Sequence, residues 1–325
     1  MVTVRMSNLL LDFYTEMTWV RKVEEKIAAE YHSQEMRCPV HLSIGQEAVP
    51  VGVSRCLKVD DHVVSAHRSH AHYLAKGGNL DKMLSELFGK VTGCARGKGG
   101  SMHLVDLDVN VTAAVPIVGS SISIGTGIGF GLKQLGIDRK VVVYFGDGAT
   151  EEGVFAESLD FAALFELPVL FVCENNMYSV YTPLAARQVR DRNLQEICKG
   201  HGIKSFYGDG NDVEEVYRVA GEAITYIDES KKPALIEFDT YRWLEHCGPN
   251  WDDHLGYRQP GELESWMVNC PIKKIELAMS DHGIEDRELE IISSSHDAKI
   301  EESFKFARES AFPNLSELNR HIYSE

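Results

Sequence analysis

Two short apolar runs, each closing on a polar cluster, constrain this chain more than any other feature of it. Lys140-Val-Val-Val-Tyr-Phe145 reads as a buried strand and runs into Gly146-Asp147-Gly148; Leu167-Pro-Val-Leu-Phe-Val-Cys173 reads as a second and runs into Asn175-Asn176. Between them, Glu151 to Phe165 has helical spacing. A strand, a helix and a strand of these lengths predict a right-handed parallel crossover. A third strand is predicted at Pro233–Thr240, after an amphipathic helix from about Val213 to Ile227. Strands alternating with helices in this way imply an α/β fold, a doubly wound parallel sheet with helices on both faces. From Asn8 to Tyr31 the apolar residues Leu10, Tyr14, Met17, Val20, Val23, Ile27 and Tyr31 keep a helical period, and the chain beyond about Pro271 reads as helices. The expectation is one domain over residues 1–325 with helical extensions at both ends.

Composition removes several classes of function. A formal net charge of −16 argues against a nucleic-acid partner, which is held mainly by Lys and Arg. The seven cysteines, Cys38, Cys56, Cys94, Cys173, Cys198, Cys247 and Cys270, form no CxxC pair, and their odd number speaks against a disulfide framework. Reduced thiols in a reducing compartment fit better. Neither a secretory signal nor an Arg-rich transit segment is legible at the N-terminus, and the longest apolar stretch is too short to cross a bilayer. The expectation is a soluble, cytoplasmic protein that engages no membrane.

The two polar clusters belong at the carboxyl edge of the sheet, where open α/β folds bind ligands. A diphosphate there needs a hard divalent cation, and magnesium takes oxygen ligands in near-octahedral order. Asp147 offers a carboxylate, Asn176 an amide oxygen and Tyr178 a backbone carbonyl. Gly148 lets backbone N–H groups approach a phosphate where the next helix begins. A Gly-Asp-Gly alone is weak, since a second copy, Gly208-Asp209-Gly210, has no Asn pair behind it and reads as a turn before a helix capped near Asp212. The first copy has its Asn-Asn pair after 26 intervening residues, with a strand before each half. The segment from Gly146 to Tyr178 resembles the thiamine-diphosphate motif.

Further blocks in order extend the resemblance over essentially the whole chain: His41-Leu-Ser-Ile-Gly-Gln-Glu-Ala48, His67-Arg-Ser-His-Ala-His-Tyr-Leu-Ala-Lys-Gly77, Gly97-Lys-Gly-Gly-Ser-Met-His103, Pro116-Ile-Val-Gly119, Tyr241-Arg242 with His246, and His321-Ile-Tyr-Ser324. Together they resemble the alpha subunit of the decarboxylating component of pyruvate, branched-chain 2-oxo acid and acetoin dehydrogenases. The resemblance implies thiamine diphosphate and Mg2+ as cofactors. It assigns Arg68, Gly148 and Ala149 to the diphosphate, with His41 and His67 near it, and places Pro116 and Val118 at the aminopyrimidine ring. It leaves Asp147, Asn176 and Tyr178 as metal ligands. His70 and His246 are expected to face the reacting carbon, His246 also counting among the cofactor contacts, whereas His72, His103 and Glu47 are expected to be structural.

In the resembled enzymes the glutamate beside the pyrimidine ring sits on a separate pyrimidine-binding domain, and 325 residues are nearly consumed by the diphosphate-binding half. The resemblance therefore implies a beta subunit, a heterotetramer, and a lipoyl-bearing acyltransferase that receives the acyl group from a small 2-oxo acid. Acetoin cleavage, or a non-oxidative lyase or transferase reaction with the same cofactor, is the alternative. The stretch from His246 to Arg258 departs from the Ser-bearing loop of the pyruvate enzymes, with Cys247 and Gly256 near the regulatory positions, so kinase control there is not expected. Asp252 and Asp253, with Trp251 and His254, read equally as substrate or acceptor determinants and as solvated loop residues.

Overall fold

The computed structural model describes residues 2–320, and the closing His321–Ser324 block lies outside the described residues. Its strands are β1 His62–Ser65, β2 Val111–Ala114, β3 Val141–Gly146, β4 Val169–Asn175, β5 Tyr178–Ser179, β6 Thr182–Pro183, β7 Lys204–Asp209 and β8 Ala234–Asp239. Six of them form one sheet in the order β2-β1-β3-β4-β8-β7, with every pairing parallel. β5 and β6 form a separate two-stranded hairpin. The helices are α1 Val2–Tyr31, α2 Ala48–Ser54, α3 His70–Ala75, α4 Leu80–Leu87, α5 Ser120–Leu135, α6 Gly153–Leu164, α7 Leu184–Arg187, α8 Leu194–Gly200, α9 Val213–Ser230, α10 Glu262–Val268, α11 Pro271–Asp281 and α12 Asp286–Glu309.

The unbroken apolar runs are explained by what covers each face. Side chains alternate across a strand: Val141, Val143 and Phe145 of β3 meet Val169, Phe171 and Cys173 of β4 under α5, α6 and α8. Val142, Tyr144, Leu170 and Val172 face the other way, onto α2 and α9. Both faces being dry, no position in either strand is free to be polar until the carboxyl ends. A third apolar cluster joins Leu10, Met17, Val20, Val23 and Ile27 of α1 to Met83 and Leu84 of α4, Ile275 and Met279 of α11, and Phe304 of α12.

The strands expected at 140–145, 167–173 and 233–240 are β3, β4 and β8, and the expected helix at 213–227 is α9. Asp212 caps α9 by accepting from the N–H groups of Glu214 and Glu215, both at 3.1 Å. The second Gly-Asp-Gly differs from the expected turn. Gly208 and Asp209 are the last two residues of β7, paired with Phe238 and Asp239, and the turn begins at Gly210. β7 escapes sequence reading because it is a polar edge strand with a mostly half-exposed pattern.

Helix α5 lies unusually close to the sheet. A Cβ on Gly125 would stand 2.1 Å from Cγ2 of Val143 in β3, and one on Gly129 would stand 2.5 Å from Cγ2 of Val169 in β4. Neither contact is tolerable, so the helix rests its backbone on the strands that carry Asp147 and Asn176. Gly125→Ala should cost about 1–3 kcal/mol of stability through overpacking, read from the denaturant midpoint. An unchanged midpoint would mean that α5 shifts freely over β3.

Candidate active site

The segments that follow four strands of the sheet converge on one cavity beyond their carboxyl ends. The segment after β1 brings His67 and Arg68; that between β2 and α5 brings Pro116, Val118 and Gly119; that after β3 brings Asp147, Gly148 and Ala149; and β4 leads to Asn176 and Tyr178. His41 and His246 close the cavity from loops outside the sheet. All eleven residues assigned from the sequence to cofactor or metal, His246 among them, thus border one space.

His70 does not border it. Its ring is fully buried, Nε2 is 2.7 Å from Ser101 Oγ, and Nδ1 is 3.4 Å from Glu24 Oε1. The first turn of α3 points this side chain back toward α1. His70 therefore reaches the cavity only indirectly, through the segment that carries Ser101 and the cavity-lining Met102. His72, two residues on, does line the cavity: Nδ1 is 2.8 Å from Ser65 Oγ, Nε2 is 3.2 Å from Glu174 Oε2, and the ring stacks on Tyr144 at 3.9 Å. His103 bonds the Gly99 carbonyl at 2.8 Å. Glu47 is fully buried, held by Arg21 Nε at 2.6 Å and the Gly45 N–H at 2.9 Å.

The loop before His103 is shaped by one carboxylate. Glu86, almost wholly buried, accepts from the N–H groups of Ala95 and Gly97 on one oxygen and of Gly99 and Gly100 on the other, at 2.7–3.1 Å.

The cavity carries a buried positive charge in its wall. Arg68 is buried, with NH1 2.5 Å from the Leu42 carbonyl and NH2 3.3 Å from the His246 carbonyl. Those partners are neutral, and burial, then Arg242, pulls its guanidinium down to about 10. A buried cation met by carbonyls rather than a carboxylate is suited to an arriving anion. His41, His67 and His246 pack edge to edge around it, with ring centroids 4.8–5.2 Å apart. Burial first and Arg68 next lower them to about 2, about 4 and about 3. All three are neutral imidazoles at neutral pH, each able to accept a proton on one nitrogen and donate from the other. His41 Nδ1 is buried without a hydrogen-bond partner.

The same cavity offers oxygens. Asp147 is 4 % exposed; burial raises its carboxyl, and Arg187 opposes that rise. Asn176 donates from Nδ2 to Gln46 Oε1 at 3.4 Å, and its Oδ1 accepts from the Tyr178 N–H at 3.3 Å. Asn175 is occupied elsewhere: its oxygen accepts from the Met177 N–H at 3.1 Å and its amide donates to Glu237 at 2.9 Å. It shapes the turn that brings Asn176 and Tyr178 round, where Met177 adopts φ 68°. A Cβ on Gly148 would crowd the hairpin above it, 2.9 Å from Ser179 Oγ and 3.2 Å from Ser179 Cβ. A carboxylate, an amide and a carbonyl in one cavity with a buried guanidinium fit a metal-bound diphosphate.

Arg187 is the residue that sequence reading missed. It binds both Asp147 and Glu151, and it lies 40 positions from Asp147 with no motif to announce it. In the loop beyond His246, Asp252 departs from the solvated-loop reading, which the exposed Trp251, Asp253 and His254 match. Asp252 is 1 % exposed and serves as shared counter-ion to Arg242 at 3.5 Å and Arg258 at 3.3 Å. Trp251 and His254 are exposed, and Asp253 lies 3.5 Å from Arg258. Gly256 has φ 72°, a conformation that disfavours serine there.

The sequence model of the family described as "Dehydrogenase E1 component" matches residues 15–316. A pyruvate dehydrogenase E1 component subunit alpha from Porphyra purpurea is 37% identical over 97% of this chain and 93% of its own length. The Rickettsia bellii protein of that name is 35% identical over 95% of this chain and 94% of its own. A chloroplastic one, subunit alpha-3 of Arabidopsis thaliana, is 34% identical over 97% of this chain and 74% of its own. No helix among the described residues is long and apolar enough to cross a membrane.

Proposed function

The chain belongs to the dehydrogenase E1 component family, as the alpha subunit of a thiamine-diphosphate-dependent 2-oxo acid dehydrogenase, and on that premise we propose that it decarboxylates a pyruvate-like 2-oxo acid and passes the acyl group to a lipoyl acceptor. The observation that carries this reading is the make-up of the cavity, in which buried Arg68 and neutral imidazoles share one lining with Asp147, Asn176 and Tyr178. In it the residues at 1–325 form one diphosphate-binding domain with helical extensions.

When bound, thiamine diphosphate supplies a carbanion that attacks a carbonyl and then acts as an electron sink. This chain's residues bind and orient. Asp147, Asn176 and the Tyr178 carbonyl would hold Mg2+, and Arg68 with the N–H groups of Gly148 and Ala149 would hold the diphosphate. Pro116 and Val118 would meet the aminopyrimidine, with the Val118 side chain standing 45% exposed in the cavity wall. His246, neutral and flanked by His41 and His67, would hold or deliver a proton at the reacting centre. His70 would support the wall behind Met102 through Ser101.

The glutamate needed beside the pyrimidine is proposed to come from a beta subunit. Native mass of the complex from its own host, loaded with thiamine diphosphate and Mg2+, should reveal a second, distinct chain. A cofactor-loaded homo-oligomer that turns over alone would overturn the two-chain reading. Rapid product release without any lipoyl acceptor would replace acyl transfer by a non-oxidative reaction.

A further inference from the structure

Five hydrogen bonds tie the stretch from Thr182 to Arg192 to the short turn at 147–151 that carries Asp147. Arg187 donates from NH2 to Asp147 and from NH1 to Glu151. Gln188 donates to Glu151 at 2.8 Å, and Arg192 donates to Thr150 Oγ1 at 2.9 Å and to its carbonyl at 2.8 Å. Arg187 Nε is fixed in turn on the Thr182 carbonyl at 3.0 Å. The Arg187 and Asp147 side chains are 10% and 5% exposed, so water screens their attraction little.

We propose that Arg187 couples the metal to the diphosphate: by holding one oxygen of Asp147 it keeps a bare divalent cation weakly bound until the diphosphate arrives. The inference rests on the metal reading of Asp147 given above. The charges carry it. Asp147 and Glu151 would present two negative charges to an incoming cation; Arg187 reduces that to one and places its own positive charge beside the binding oxygen. A free dication therefore meets a half-neutralised site and a fixed repulsion. A diphosphate reverses the balance, because its negative oxygens are attracted by Arg187 as well as by Arg68 and compensate the cation they bring. Without Arg187 the cation should bind better alone, the diphosphate should bind worse, and each should help the other less. Reciprocity requires the two improvements to be equal.

The test uses the full chain assembled with its partner subunit and stripped of cofactor, with Mn2+ as the probe and free Mn2+ read by electron paramagnetic resonance. In the native protein, saturating thiamine diphosphate should tighten Mn2+ binding by roughly tenfold or more. In Arg187→Gln, Mn2+ alone should bind roughly tenfold tighter, and the gain on adding the diphosphate should shrink by about the same factor. Arg187→Lys keeps the charge and should retain most of the coupling. Glu151→Gln works in the opposite direction, weakening Mn2+ alone, and gives an independent reading if Arg187→Gln does not fold. Unchanged coupling in Arg187→Gln, or weaker binding of Mn2+ alone, would overturn the proposal and leave Arg187 as a residue that only orients the carboxylate. If the native protein and Asp147→Ala bind Mn2+ equally with the diphosphate present, the metal reading itself fails, which is a different result.

Discussion

Asp147→Ala removes metal-dependent binding of thiamine diphosphate at working concentrations, an expected loss of roughly a hundredfold to a thousandfold. The argument starts from burial. Asp147 is 4 % exposed and is the one carboxylate among the three assigned metal ligands, so its loss leaves the ion with two neutral oxygens. Its loss also leaves Arg187 with Glu151 as its remaining carboxylate. Breaking a buried charged contact costs about 3–5 kcal/mol, and each 1.4 kcal/mol is about a factor of ten in affinity. Isothermal titration with cofactor, with and without Mg2+, measures it directly. Asp147→Asn, which keeps an oxygen at the same place, should fall between. Native affinity in the alanine variant would remove Asp147 from the metal site.

His246→Ala should slow turnover by roughly a hundredfold or more while cofactor affinity stays close to native. The separation follows from how His246 is attached. Arg68 reaches its backbone carbonyl at 3.3 Å, a contact alanine retains, while the ring lies among His41 and His67 and borders the cavity. Removing the ring therefore deletes a proton carrier without releasing the guanidinium assigned to the diphosphate. Steady-state kcat alongside cofactor titration tests both halves. Native kcat would exclude His246 from proton transfer, and an equal fall in affinity and rate would make it a binding residue instead.

What the sequence disclosed and what it hid divide along physical lines. β3, β4 and β8 were legible because strands dry on both faces must be continuously apolar, and the polar residues that end them are then conspicuous. β1 and β2 are only four residues each, and β7 is an exposed edge, so none carries enough pattern. In the site, Asp147, Asn176 and Tyr178 follow from a fixed spacing along adjacent strands, and the resemblance carried the other positions. Arg187 and the exchange of places between His70 and His72 depend on which way a side chain leaves its helix or hairpin. Two residues of displacement on α3 separate a ring locked between Glu24 and Ser101 from one that faces the cavity. Asp252 is similar: in sequence it reads as a loop carboxylate, and only packing makes it the counter-ion of two arginines.

The carboxylate of Glu86 inside the 95–100 loop has a consequence for how that part of the wall tolerates change. Four peptide N–H groups converge on two oxygen atoms, so the turns of the loop are cast around a mould. Its glycines serve convergence more than freedom of movement. At Gly93 a Cβ would come 2.2 Å from Glu86 Oε2, and Gly97 and Gly100 hold positive φ. Lengthening the loop by a single residue would rotate some of those donors away from the mould, and Ser101 and Met102 downstream would lose their bearing on the cavity. A stretch whose composition suggests pliancy is thereby among the least extensible in the chain.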